Sequence, residues 1–335
     1  MSAIYLVTGA NSGLGLDSVR RLAMMPSTKK IYMGCRSENK ASAAIDSIKG
    51  MEGVDVTKLQ YVHFDASASK EAIFKIVDSL DNDPITGVLL NAGGIGHDKT
   101  KKPIGPNHVL DVHQINLIGH IQLVEALKPK LAQGCKLVFA GSEAARGVPL
   151  MMIGTPKLGD TSDWYKNQLE GNFRGYDPMA VYAKTKGFAA LYFAEWARQN
   201  PKYNVLVVSP GGTSGTSALN ADAVPAHFRL MMPVMMPMMK AIGVMHPLED
   251  GTDRYIQALT GKYDKTFQSG SFVASKRGTT GKVSDQTKLR KGQMYADTVK
   301  QKAAFEALSV YTTKPLHSDV QHIVDVSAVQ NIVSV

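Results

Sequence analysis

The stretch "TGANSGLG" (residues 8–15) follows the short apolar run "IYLV" and leads into a helical pattern through Val19, Leu22 and Ala23. Strand, turn and helix in that order decide the fold. Glycines at 9, 13 and 15 suit a nucleotide-binding junction. Gly9 makes the tight turn, Gly13 lets backbone approach a pyrophosphate, and Gly15 lets helix pack on strand, with the helix N-terminus facing the anion. Asn11, Ser12 and Leu14 complete the turn that would face the cofactor. Glycine also collects in turns for steric reasons, so the reading rests on what surrounds it.

Alternation surrounds it. "KIYMGCR", "LQYVHFD", "TGVLLNAGG", "CKLVFAGS" and "YNVLVVSPGG" read as further strands. Residues 40–48 and 70–80, "HQINLIGHIQLVEALKPKL" and "AVYAKTKGFAALYFAEWARQ" read as the helices between them. Continuous apolar strands alternating with helices predict an α/β fold, a Rossmann-type doubly wound parallel sheet with helices on both faces. Residues 1–313 read as a single domain and 314–335 as an appended tail. Two segments break the rhythm: a polar and aromatic insertion over 143–180, and a Met-rich segment over 217–245 that reads as a substrate lid. Seven of the chain's 16 methionines fall between Met231 and Met245. Methionine is flexible and polarisable, which suits an adaptable apolar surface.

Composition narrows the function classes. With 335 residues, 44% hydrophobic and 20% charged, the chain can bury a large core, and it contains no apolar run long enough to span a bilayer. Its start, "MSAIYLVTGA", lacks the basic opening and long apolar stretch of a secretory signal. Two cysteines, Cys35 and Cys135, form neither a disulfide framework nor a metal set and fit a reducing compartment, so a cytoplasmic location is expected. The net charge is +9, and residues 262–302 carry ten Lys/Arg against three Asp. That stretch lacks interleaved aromatics and any nucleic-acid motif, so it reads as a solvated basic surface that helps attract a phosphate-bearing cofactor. No nucleic-acid partner, no integral membrane segment and no metal are expected; His108, His113 and His120 lack nearby ligand partners.

At the end of the second predicted strand, where a carboxylate would meet the ribose hydroxyls of NAD, stands Arg36. A guanidinium suits a 2′-phosphate, so Arg36, with Ser12, Ser37 and Lys40 as helpers, argues for NADP(H). "VYAKTKG" places Tyr182 and Lys186 one turn apart on one helical face.

Six motifs then occur in order: "TGANSGLG", "NAGG", a helix with "QIN", a strand ending in Ser142, "YAKTK" and "SPGG". Over residues 3–216 the chain thereby resembles the short-chain dehydrogenase/reductase family. The resemblance implies hydride transfer between nicotinamide and a carbonyl or alcohol carbon, with Asn116, Ser142, Tyr182 and Lys186 catalytic. Tyr182 would be the general acid/base, Lys186 would lower its pKa and bind the nicotinamide ribose, Ser142 would hydrogen-bond the substrate oxygen, and Asn116 would hold a relay water. Bringing a phenol from near 10 to near 7 takes about 4 kcal/mol of differential interaction. By the same resemblance Asp65 and Ala66 flank the adenine, Asn91, Ala92 and Gly93 shape the cofactor channel, and the backbone after Pro210, with Gly211 and either Thr213 or Thr216, meets the carboxamide. A homo-oligomer is a further expectation of the family.

The chain departs from the pattern in three places. Leu90 stands where many members have a first asparagine, the threonine after "PG" is displaced by one residue, and the separation of Ser142 from Tyr182 is unusually long. That long insertion, together with "CRSENKASAA" and the Tyr182 helix, is similar to the branch of retinol dehydrogenases and light-dependent protochlorophyllide reductases. The similarity implies a small hydrophobic or polycyclic substrate. Two alternatives stand beside this: a protochlorophyllide reductase-like C=C reductase, and a non-catalytic NADP(H)-binding regulator.

Overall fold

A computed structural model describes residues 2–95, 101–103, 105–149, 153–214 and 243–312. Most of the expected lid, the tail and Thr216 lie outside the described residues.

One eight-stranded sheet runs in the order β3-β2-β1-β4-β5-β6-β7-β8. Its strands are β1 (Ala3–Thr8), β2 (Thr28–Cys35), β3 (Leu59–His63), β4 (Ile85–Leu90), β5 (Leu131–Ala140), β6 (Asn204–Val208), β7 (Phe272–Ser275) and β8 (Val283–Asp285). All neighbours are parallel except β7 and β8, which form an antiparallel pair at the edge. Chain order doubles back between β1 and β4, and the crevice at such a switch point is where sheets of this kind bind ligands. The predicted Rossmann-type sheet is therefore present.

Parallel strands are buried on both faces, and so must be their residues. Val7, Leu89 and Val138 point to one face, against α1 (Gly13–Ala23), α2 (Glu38–Ile48) and, after α3 (Lys70–Phe74) in the chain, a helix over Leu248–Leu259. Leu6, Val88, Leu90 and Phe139 point to the other. There they meet α4 (Asp111–His113) continuing into α5 (Gly119–Leu127), then α6 (Ser162–Leu169) and α7 (Pro178–Gln199). The helix Leu248–Leu259 is α8, and Thr298–Ser309 is α9.

Several elements differ from the sequence reading, each for a local reason. The helix predicted over 70–80 keeps one α turn and tightens into a 3₁₀ stretch over Lys75–Ser79. The long helix after the fourth strand ends at Leu127, because Pro129 belongs to a 3₁₀ turn over Lys128–Lys130, and β5 begins at Leu131. The insertion contains α6, whose Tyr165 meets Phe188 of α7 edge to face at 5.0 Å. α9 covers the outer side of α7, stacking Phe305 on Tyr192 at 5.1 Å. β7 and β8 lie in the stretch read as a basic surface; short buried strands hidden among exposed lysines carry no period of their own. Cys35 and Cys135 are buried and free, and burial pushes their thiols up to about 11 and about 12.

α5 starts against the backbone of Ala66. A Cβ on Gly119 would overlap the Ala66 carbonyl oxygen and lie 2.7 Å from Ala66 Cα, so neither backbone can yield without moving a strand end. Gly119→Ala is expected to lower stability by about 1–3 kcal/mol. Gly154→Ala, where an added Cβ meets nothing within 4 Å, is expected to change it little; urea unfolding midpoints of the two variants check the contrast.

Candidate active site

The ends of β1, β4, β5 and β6 bring together most of the residues singled out in the sequence. At β1, Gly9 takes a left-handed φ of 63°, and a Cβ there would sit 2.9 Å from Ala92 Cα. A Cβ on Gly15 would overlap the Gly9 carbonyl oxygen, so the first turn of α1 lies on the turn that precedes it. Gly13 also has positive φ, 52°, but its Cβ direction meets nothing within 4 Å. Gly9 and Gly15 thus sit where backbones pack closely, and Gly13 faces open space. Ser12 caps α1 by position, but its side chain makes no cap hydrogen bond, so the helix N-terminus keeps its donors for another acceptor.

Arg36 follows β2 with its side chain exposed, and Lys40 is exposed nearby. Ser37 is engaged otherwise: its hydroxyl caps α2, accepting from Lys40 N at 3.3 Å. Asp65 closes a local turn by accepting from Ser67 N at 2.9 Å and Ser67 Oγ at 2.7 Å. The Ala66 carbonyl accepts from Gln114 Nε2 at 2.8 Å.

The loop after β4 is held from β1. Thr8 Oγ1 accepts from Asn91 N at 2.8 Å and Ala92 N at 3.0 Å, and Asn91 Nδ2 donates to Thr8 O at 3.1 Å. Further along, Gly94 N donates to Asn116 Oδ1 at 3.0 Å, and Asn116 Nδ2 donates to Gly94 O at 2.7 Å and to Val112 O at 2.9 Å. Asn116 lies in a π-helical turn over Gln114–Ile118, a feature common at functional sites. Both its amide protons are thus committed to protein carbonyls, which differs from the expected water-holding side chain.

At the end of β5, Ser142 Oγ accepts from Ala144 N at 3.2 Å, and the hydroxyl lies near the Tyr182 phenol. The serine is thus a cap for the short helical turn that follows it. Lys186 is buried; it donates to Ala140 O at 2.8 Å and lies 5.0 Å from the Phe139 ring centroid and 5.5 Å from that of Tyr182. Burial lowers the Lys186 pKa to about 7 and raises that of Tyr182, which the nearby Ser142 hydroxyl opposes. Burial of the phenol thus works against the expected lowering of its pKa. An ammonium desolvated this far loses much of its own charge near neutrality, so burial of the phenol dominates.

Past β6, the segment 209–214 is well braced. Gly211 N donates to Ser209 Oγ at 3.1 Å, Gly212 N to Thr279 O at 2.6 Å, and Thr213 Oγ1 to Pro210 O at 3.2 Å. The expected carboxamide contact of this backbone thus has to come from groups other than the Gly211 and Gly212 amides.

Sequence reasoning missed a buried ionic cluster beside Ser142. Glu143 Oε2 accepts from Arg146 Nε at 2.6 Å, and Glu143 Oε1 accepts from Ser275 N at 2.9 Å and lies 3.6 Å from Arg254 Nη1. Arg254 donates to Ser209 O at 3.1 Å and Gly281 O at 3.0 Å, while Arg146 donates to Gly278 O. One carboxylate so ties the end of β5 to β6 and to the β7–β8 hairpin. Glu-x-x-Arg was visible, but Arg254 lies over a hundred positions away and only the topology joins it. Among the described residues there is no group of three or more His, Cys, Asp or Glu able to hold a metal and no helix long and apolar enough to cross a membrane.

This is a Rossmann-type sheet with Tyr182, Lys186 and Ser142 gathered near the carboxyl end of β5. Comparison places it further. The family model described as short chain dehydrogenase matches residues 3–153. A short-chain dehydrogenase/reductase of Pestalotiopsis microspora is 28% identical over 220 residues, 63% of this chain and 70% of that one. One from Armillaria gallica is 34% identical over 224 residues, and the match spans 62% of this chain but only 64% of the relative's length. A solved structure of an uncharacterized protein from Mycobacterium Paratuberculosis shares the fold with a TM-score of 0.64 at 19% identity, covering 92% of this chain and 93% of that one. Over residues 3–153 the chain thus matches the short-chain dehydrogenase family, and it is similar to short-chain dehydrogenase/reductases, oxidoreductases that use nicotinamide cofactors, NAD or NADP.

Two outcomes follow from the charges. Lys186 binds its proton less tightly folded, near pH 7, than its ordinary 10.5. Below pH 7 both states are protonated and the full cost is present; between 7 and 10.5 the unfolded state binds more protons, so stability rises with pH there. Lys186→Met should flatten that rise, by up to about 1.4 kcal/mol per pH unit, in denaturant melts between pH 7 and 10. Glu143→Gln strands two buried guanidiniums and should lower stability by about 3–5 kcal/mol, read as a drop in the urea midpoint.

Proposed function

We propose that the protein is an NADP(H)-dependent reductase that transfers hydride to the carbonyl of an apolar substrate, with Tyr182 as proton donor. The observation that carries this is the placement of Tyr182 and Lys186 one turn apart on α7, with Lys186 Nζ 5.5 Å from the Tyr182 ring centroid and donating to Ala140 O, two residues before Ser142 at the end of β5. When bound, the nicotinamide cofactor supplies the hydride.

The residues of the chain do the rest. Gly13 leaves the N-terminus of α1 open to a pyrophosphate, and exposed Arg36 is the cation suited to a 2′-phosphate. Asp65 and Ala66 would flank the adenine, Asn91 to Gly93 would line the channel, and Thr213 is the threonine available near the carboxamide. Ser142 would donate a hydrogen bond to the substrate oxygen and stabilise the charge that develops there. Burial keeps the phenol protonated but makes it a weaker acid, so its proton transfer depends on the charge that hydride arrival builds on that oxygen. Lys186 would hold the ribose hydroxyls and return a proton to Tyr182, its pKa near 7 suiting a relay at neutral pH.

Tyr182 lies between two small apolar groups, one with Ala144, Val148 and Ile153, the other with Leu110, Val112 and Phe173. Both support an apolar substrate, as does the Met-rich sequence that follows β6.

Tyr182→Phe should reduce turnover of an aldehyde or ketone about 10²- to 10⁴-fold while NADPH affinity stays within about threefold. Arg36→Glu should weaken NADPH at least about tenfold and leave NADH nearly unchanged. Fluorescence titrations with both dinucleotides and a carbonyl panel of graded polarity, run in darkness, make the measurements. A wild type that binds NADPH but turns over no carbonyl sinks the enzymatic reading.

A further inference from the structure

His120 is buried one turn past Asn116, with no part in the chemistry above. Its ring lies between Phe64, at 5.7 Å between centroids, and Phe139, at 5.8 Å. Its Nε2 is 2.7 Å from the Ala92 carbonyl oxygen, and because a carbonyl only accepts, Nε2 carries the proton. Nδ1 is buried with no hydrogen-bond partner. Burial lowers the His120 pKa to about 4, which keeps the ring neutral with this single donor.

The Ala92 carbonyl belongs to a loop whose backbone is gripped from three sides. Thr8 takes the Asn91 and Ala92 N–H groups, Asn116 takes both polar groups of Gly94, and His120 takes the Ala92 carbonyl. Ala92 is also the residue against which the Gly9 turn packs, with room for no Cβ between them. A shift of Ala92 would therefore pass directly into the turn that faces the dinucleotide.

We infer that His120 is a positioning residue for dinucleotide binding: by donating to the Ala92 carbonyl it sets the height of the 91–94 loop beneath the Gly9 turn. The inference rests on the cofactor reading above. It assigns His120 to cofactor affinity and leaves proton transfer to Tyr182.

Phenylalanine matches the shape of the ring and its aromatic slot but lacks the donor; glutamine keeps an N–H donor. NADPH titrations by fluorescence, thermal melts and turnover at saturating NADPH are run on wild type, His120→Phe and His120→Gln. The expected result is a Kd for NADPH raised about tenfold in His120→Phe, about 1.4 kcal/mol, with its melting behaviour and saturated turnover close to wild type. His120→Gln should return the Kd to within about twofold. A His120→Phe protein that binds NADPH like wild type, or a folded His120→Gln protein as weak as His120→Phe, overturns the inference alone. If His120→Phe does not fold, the glutamine variant decides: wild-type affinity supports the donor role, and a tenfold loss overturns it. A wild type that binds neither dinucleotide overturns the cofactor reading and this inference with it.

Discussion

The hydroxyl of Thr8 accepts two main-chain N–H groups from the far side of the switch point, at 2.8 and 3.0 Å. Everything at the carboxyl edge of the sheet depends on that junction. β1 and β4 are neighbours in space but 81 residues apart in the chain, as the Thr8–Leu89 separation records. Where parallel strands end, their ladder ends too, and the freed backbone groups need side-chain partners. Thr8 and Asn91 satisfy them reciprocally, which lets Gly9 and Ala92 approach to a distance no side chain would permit.

From that junction the site is built outward by two long helices that carry few polar residues inward. α5 and the π turn before it supply Gln114, Asn116 and His120, each bonded to a loop carbonyl. α7 supplies Tyr182 and Lys186 and is itself locked to α4 by Thr185, 2.9 Å from His113 Nδ1. Buried polar groups of this kind are expensive unless paired, and their pairing fixes where the helices sit. Precision at the site thus comes from the same bonds that stabilise the fold.

The sequence was most legible where a physical rule is local. Glycine spacing after a strand, apolar runs and the Tyr182–Lys186 step each reflect geometry within ten residues, and the structure places them at one edge. β7, β8 and the Glu143–Arg254 contact were not legible, because a four-residue strand has no period to detect and a buried ion pair has no sequence mark until the topology closes it. The upward push of burial on the Tyr182 phenol was not legible for a related reason. Proximity to a lysine is visible in one dimension, but the burial that removes the lysine's charge is a property of the packed interior.

The π turn at Gln114–Ile118 gives its helix two angular settings. Upstream, His113 and Asn116 address α7 and the Gly94 loop; downstream, Gly119 and His120 address Ala66 and Ala92. One surplus residue keeps both settings in phase with their targets. The helix therefore behaves as a counted element, like a gear with a fixed number of teeth: loss of a single codon would leave its hydrophobicity and length almost intact while turning one half of the site away from the other.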